Sequence, residues 1–348
     1  MLKRLVKAGK PKIGIVGALR GFAALAVVWF HFTFGQGHWL KLSGEYGWLG
    51  VHTFFVISGF IIPYSLYQYR YAIRDYFRFM AKRLARLHPP YLASMVVVVA
   101  VYLAVTAMFP RAHIAPLDLS WQNFVDHFFY LNDFVHRDWL NVVYWTLGIE
   151  LQWYLLLGLT FPLLANRRWF VQIAGALLIL LAYWLIPQQQ RIIFHIVPVF
   201  LIGIFVFQYK VGISSVWRML LSIAAMFAVM KTPIGMPTSI VATATGLLIA
   251  FATLENRWCA RLGDISYSLY LLHIPIGLTL MSFLSRLPYS GSYIVAVDLV
   301  CVAACLYCSW LFYRMVEEPS QKWSSAIKIK PVKKKPAEEL VPEAVTAD

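Results

Sequence analysis

The chain has 348 residues, 60% of them hydrophobic and only 14% charged, with a formal net charge of +15. A soluble domain carries about 25% charged residues, so this composition excludes an ordinary water-soluble globule and describes a membrane protein. A basic balance also fits a nucleic-acid binder, but the placement of the charges accounts for it without nucleic acid.

The N-terminal stretch "MLKRLVKAGKPKIG" is basic and runs directly into a full-length apolar span, with no small-residue cleavage site of a signal peptide. A bilayer span needs about 20 mostly apolar residues. Ten segments qualify: 16–35, 46–67, 89–109, 142–164, 169–187, 192–209, 216–232, 235–254, 265–286 and 292–314. The sixth and seventh are the weakest, because "YKVGISS" and "PIGMPTS" leave room for a re-entrant segment. The expected fold is therefore all-α: one polytopic bundle of about ten transmembrane helices. It forms a single domain over 1–323, without an internal repeat of fixed period.

Lysines and arginines orient the bundle. With the N-terminus inside, 25 of the 31 fall in inner segments, and six, Lys41, Arg111, Arg137, Arg191, Lys231 and Arg286, fall outside. Both termini are thus expected in the cytoplasm. Residues 70–88, "RYAIRDYFRFMAKRLARLH", read as a basic amphipathic helix on the inner surface. Residues 110–141 form the longest outer loop, where Trp121, Tyr130 and Trp139 stand ready to stack on a sugar ring or to anchor in the interface. The stretch 324–348 reads as a disordered cytoplasmic tail, rich in Lys, Pro and Glu.

Titratable groups inside spans are costly and mark pathways or active sites more often than not. His31 follows Arg20 by 11 residues, roughly 16 Å along one helix face. Glu150, in "YWTLGIELQWYLLLGL", lies roughly 12 Å from the outer boundary, and His31 roughly 6–9 Å from it. Equal depth makes the two natural partners, either as a structural polar pair or as an imidazole whose tautomer a carboxylate fixes. Arg20 at the inner end is either a snorkelling anchor or part of a basic rim with Arg83 and Arg86, in "RLARLHPPY", suited to bidentate binding of an anion. Ser58 and Gly59 sit mid-span, where small residues admit a helix or a ligand. His273, in "ISYSLYLLHIPI", either lines the same cavity or bonds a carbonyl freed by Pro275. His52, His195 and Asp298 read as single polar residues satisfied within the bundle, and His113, His127 and His136 as ordinary loop histidines. Cys259, Cys301, Cys305 and Cys308 read as small apolar residues, so neither disulfides nor a metal site are expected.

Six stretches in order, "LRGFAALAVVWFHF", "LGVHTFFVISGFII", "RLARLHPPY", "YWTLGIELQWY", "LGDISYSLYLLHIP" and "VEEPSQKW", resemble the acyltransferase-3 family of bacterial membrane proteins over roughly residues 15–323. The resemblance implies a ten-span bundle of the bacterial inner membrane. It implies transfer of an acyl group, usually acetyl, from cytosolic acyl-CoA to hydroxyls of a cell-envelope carbohydrate. Carried over by position, it implies roles for Arg20, His31, Arg83, Arg86 and Glu150, while Trp145, Ser58 and His273 join as cavity-lining residues. Two departures stand out: only a short basic tail follows Trp323, where some members carry an esterase-like SGNH domain, and Glu318 stands where the family's residue before the proline is often basic.

On this reading the acyl-CoA phosphates bind Arg20, Arg83 and Arg86, and His31 is the general base assisted by Glu150. A different class fits the same residues: a proton-coupled transporter of an anion or lipid-linked sugar, with His31 and Glu150 as its proton relay. No symmetry between halves supports that class.

Overall fold

The computed structural model describes residues 14–34, 38–110, 115–186, 192–284 and 291–329. Its helices run α1 Gly14–Thr33, α2 His38–Gly44, α3 Gly50–Gln68, α4 Tyr76–Met108, α5 Trp121–Phe129, α6 Trp145–Leu164, α7 Trp169–Leu185, α8 Ile193–Lys210, α9 Val216–Met230, α10 Met236–Phe251, α11 Arg257–Leu272, α12 Thr279–Leu284, α13 Gly291–Phe312 and α14 Glu318–Ala326. Two π-helical stretches, His273–Leu278 and Tyr313–Glu317, join α11 to α12 and α13 to α14. No strand occurs among the described residues.

Seven helical stretches are long and apolar enough to cross a membrane, and three shorter apolar helices, α7, α9 and α10, bring the apolar segments to the ten expected. The chain is an all-α polytopic membrane protein. One segment that looked weakest, α8, is the most buried of the seven, with 78% of its apolar window inside the protein. From Ile196 to Phe207 its residues are apolar all round, as a helix enclosed by other helices requires. Close approach to α3 is made possible by glycine: a Cβ on Gly59 would lie 2.1 Å from the Phe200 carbonyl oxygen, and one on Gly203 would lie 2.2 Å from that of Val56. Short turns at 211–215 and 231–235 link α8 to α9 and α9 to α10.

Residues 76–108 form one continuous helix, where an interfacial helix ending at 88 and a new span from 89 were expected. The double proline removes two backbone donors, which leaves the carbonyls of Ala85 and Arg86 without their helical partners. The Ser320 hydroxyl, at the start of α14, reaches both, at 2.7 and 2.8 Å. One turn further on, the Ser324 hydroxyl donates to the Lys82 carbonyl, while Lys82 Nζ donates to the carbonyls of Ser324 and Ile327. α14 thus splints the break from outside and lets α4 run on. Of the expected tail, residues 324–326 are helical and Ile329 is buried, whereas 330–348 lie outside the described residues.

The long loop carries more structure than its composition announces. Ser120 caps α5 by accepting the Asn123 amide, and Tyr130 ends it in the left-handed region at φ 58°. Tyr130 then stacks on Tyr91 of α4, with ring centroids 4.7 Å apart. His127, expected to be an ordinary loop histidine, is fully buried. Its Nε2 accepts the Leu140 amide at 2.9 Å, so Nδ1 carries the proton and donates it to the Asn123 carbonyl at 2.7 Å. The ring ties α5 to the far end of the loop at Leu140.

Candidate active site

A column of polar side chains runs through the apolar bundle, and three heights along it are distinct. The first is an imidazole pair. His31 lies two residues before the end of α1, and its ring centroid is 5.2 Å from that of His273, which opens the π-helical stretch after α11. Pro275 supplies no amide for the Leu271 carbonyl, and Asn141 Nδ2 takes that carbonyl at 3.1 Å. His273 Nδ1 lies 2.8 Å from the Tyr270 carbonyl and 3.2 Å from that of Leu269. Carbonyls only accept, so Nδ1 is the protonated nitrogen. His273 thus bonds carbonyls of the preceding turn and not the one freed by Pro275, and it flanks His31.

One turn beyond Thr146, whose hydroxyl meets the Tyr270 hydroxyl at 2.8 Å, α6 presents Glu150. Ser58 of α3 donates to Glu150 Oε1 at 3.2 Å, and the Tyr154 hydroxyl, one turn along α6, donates to the same oxygen in a short bond. Hydrogen bonds to an ionised carboxylate are the strong kind, worth about 1.5–3 kcal/mol each. Gly59 presses against α8 while its neighbour Ser58 turns to Glu150, so each small residue serves a different contact.

The third height is basic. Arg83 is buried between the rings of Phe79 and Tyr154, at 5.6 and 5.7 Å from their centroids, and its Nε has no hydrogen-bond partner. Glu150 lies within electrostatic reach of both Arg83 and Arg20, and Arg86 lies within reach of both as well. Glu317, held by the Ser268 hydroxyl at 2.6 Å and by Gln321 at 3.0 Å, adds a negative charge near Arg20 and Arg86. Among the described residues no ion pair within 4.0 Å engages Arg20, Arg83 or Arg86. Arg83 is buried and Arg20 and Arg86 are half-buried; guanidinium groups without a carboxylate within 4.0 Å are suited to an incoming anion.

The structure corrects one expectation. His31 and Glu150 do not bond each other: His31 faces His273, and Glu150 is engaged by Ser58 and Tyr154. Position along each helix does not give the azimuth of a side chain around it, and the azimuth decides the partner. Trp145 stands at the first position of α6, half-buried beside the core. Tyr154 and Ser320 carry geometry that the sequence reading did not single out. Two further expectations need amending: Asp298 is fully buried with both carboxyl oxygens unpartnered, and His52 Nδ1 likewise has no partner. Cys301 and Cys305 are buried among apolar side chains, and all four cysteines are free. No group of three or more His, Cys, Asp or Glu suited to a metal ion occurs among the described residues.

Comparison with known proteins places this geometry in a family. The O-acetyltransferase OatA of Staphylococcus aureus strain NCTC 8325 is 28% identical over 374 residues, which takes in 92% of this chain and 59% of OatA. OatA of strain COL matches to the same extent. The chain therefore spans about three-fifths of the length of these relatives. ORF330 of Acidianus two-tailed virus, an acetyltransferase by name only, is 25% identical over 284 residues, 74% of this chain and 82% of that protein. No solved structure matches. The family described as Acyltransferase domain, Acyl_transf_3, matches residues 14–314, so the chain belongs to the acyltransferase-3 family.

Proposed function

We propose that the chain is a membrane O-acetyltransferase that moves an acetyl group from cytosolic acetyl-CoA to a hydroxyl of a cell-envelope glycan. The family match supports acyl transfer, and the relatives' names support O-acetylation. The observation that carries the reading further is the column itself: three arginines without ion-pair partners at one end, a carboxylate between, and an imidazole pair towards the other. Positive-inside placement puts the arginine end in the cytosol of a bacterial plasma membrane, with both termini on that side.

In this reading Arg20, Arg83 and Arg86 bind the phosphates of the donor, and the pantetheine arm follows the face of α1 from Arg20 to His31, roughly 16 Å. His31 takes the proton of the acceptor hydroxyl as its oxygen attacks the thioester carbonyl. The carbon–sulfur bond breaks, and the CoA thiolate leaves and picks up that proton, so the products are an O-acetyl ester and free CoA thiol. Glu150 serves as counter-charge to Arg20 and Arg83, held ready by Ser58 and Tyr154, in place of orienting His31. Ser58, Trp145 and His273 line the path.

General-base catalysis contributes about 10²–10⁴-fold, so His31→Ala is expected to lose activity by that factor while still folding. The assay is CoA-thiol release from acetyl-CoA by membranes that carry envelope glycan. A near wild-type rate in His31→Ala would show that His31 is not the base. No thiol release at all by the wild-type chain would favour the transporter class instead.

A further inference from the structure

His273 is fully buried, and its Nε2 has no hydrogen-bond partner. Because Nδ1 is committed as a donor to the Tyr270 carbonyl, the neutral ring keeps its lone pair on Nε2. Two features hold the ring in that state. Nδ1 meets the Tyr270 carbonyl and shares that of Leu269 with the His273 backbone amide, and Asn141 occupies the carbonyl freed by Pro275. A buried acceptor with no donor calls for one, and the polar group beside it is the His31 ring, 5.2 Å away between centroids and inclined by 44°. A head-on N–H···N bond of about 2.9 Å places two imidazole centroids about 5 Å apart. The observed 5.2 Å is compatible with such a bond after rotation of the His31 ring about its own χ2.

We propose that His273 is a positioning residue: its Nε2 accepts the N–H of His31 and so fixes which His31 nitrogen faces the acceptor hydroxyl. The relay ends on the Tyr270 carbonyl, so a backbone oxygen does what a carboxylate does in a Ser–His–Asp arrangement. Glu150 is thereby released for the arginines, which explains why it bonds Ser58 and Tyr154 and not His31. The proposal rests on the assignment of His31 as general base.

The test measures kcat and KM for CoA-thiol release by the full chain in bacterial membranes, with acetyl-CoA as donor and the membranes' own envelope glycan as acceptor. His273→Asn keeps an amide N–H for the Tyr270 carbonyl and leaves nothing at the Nε2 position, whereas His273→Gln places an amide oxygen there. Expected for His273→Asn is a fall in kcat of about tenfold or more, with KM for acetyl-CoA within about twofold. His273→Gln is expected to recover to within about threefold of wild type. Added to His31→Ala, His273→Asn is expected to cost less than about twofold more, since it acts through His31. Wild-type kcat in His273→Asn overturns the proposal. So do equal losses in the Asn and Gln variants, or the same loss with and without His31. A wild-type rate in His31→Ala overturns the base assignment instead, which keeps the two failures apart. Should His273→Asn not fold, NMR of the wild-type chain with isotope-labelled histidine decides: a scalar coupling between a His31 N–H and His273 Nε2 is expected, and its absence overturns the proposal.

Discussion

Pro89 and Pro90 in α4 and Pro275 after α11 remove backbone donors by the same chemistry, yet the two breaks end differently. In α4 the carbonyls of Ala85 and Arg86 are both closed by the Ser320 hydroxyl, and no side chain of the helix itself takes part. After α11 the Leu271 carbonyl is closed from outside by Asn141, while the carbonyls beside it are met by His273, a residue of the break itself. That ring satisfies the backbone with one nitrogen and keeps the other free. A break closed wholly from outside is scaffold that holds charges in place. A break closed partly by its own titratable side chain leaves an unused functional group at a fixed position, here next to His31. Proline inside an apolar span is thus not one signal but two, distinguished by who repairs the damage.

The charges on the splinted turn are expected to give the largest effect. Arg86 sits on the splinted turn, and on the proposed reading it binds donor phosphate. Loss of a charge-assisted hydrogen bond costs about 1.5–3 kcal/mol, so Arg86→Ala is expected to raise KM for acetyl-CoA by about 10–100-fold, with kcat changed little. Titration of thiol release against donor concentration measures it. An unchanged KM would remove the phosphate role and leave Arg86 as positive-inside bias.

The next effect is on stability. Ser320→Ala leaves two carbonyls without donors, and an unsatisfied buried polar group costs about 1–3 kcal/mol. The sharper form is a cycle with Pro89→Ala and Pro90→Ala, which give α4 its own amides back. Ser320→Ala is expected to lower the unfolding midpoint clearly in the wild-type background and by much less in the alanine background. Equal losses in both would mean that Ser320 packs α14 without repairing α4.

How far these features were legible in the sequence follows from the range over which each is set. The ten apolar segments are local properties of composition, and they reappear as seven long and three short helices. The Glu150–Tyr154 contact is one helical turn, so the spacing in "ELQWY" already contains it. The continuity of α4 is not local: it depends on a serine 234 residues away from Arg86, which no window along the chain reveals. The partner of His31 failed for another reason. Rise per residue gives only position along a helix axis. Whether two side chains meet depends on rotation about the helix axes, which is set by close crossings such as Gly263 against Gly17, where a Cβ would stand 2.3 Å from a carbonyl oxygen. His127 escaped notice because a loop histidine carries no periodicity by which burial can be read.

The smallest effect is expected at that histidine. Both nitrogens of His127 are used, one on the Asn123 carbonyl and one on the Leu140 amide, so it is the fully satisfied counterpart of His273. Burial holds the His127 imidazole below its ordinary value of 6.5, against the raising pull of the Asn123 carbonyl. The neutral ring therefore contributes its full stability above about pH 6.5, and that contribution is lost as the pH falls through the lowered folded value. Protonated Nε2 would also face the Leu140 N–H with a second N–H. The midpoint of thermal unfolding of the wild-type chain is thus expected to drop on acidification below about pH 6.5, and His127→Gln is expected to be flatter over the same range. Because other histidines titrate too, the difference between the two curves is the measurement. Parallel curves would show that the loop does not depend on the neutral ring. Activity measured above pH 6.5 should be nearly equal in the two proteins, since a ring with both nitrogens engaged in the loop has none left for chemistry.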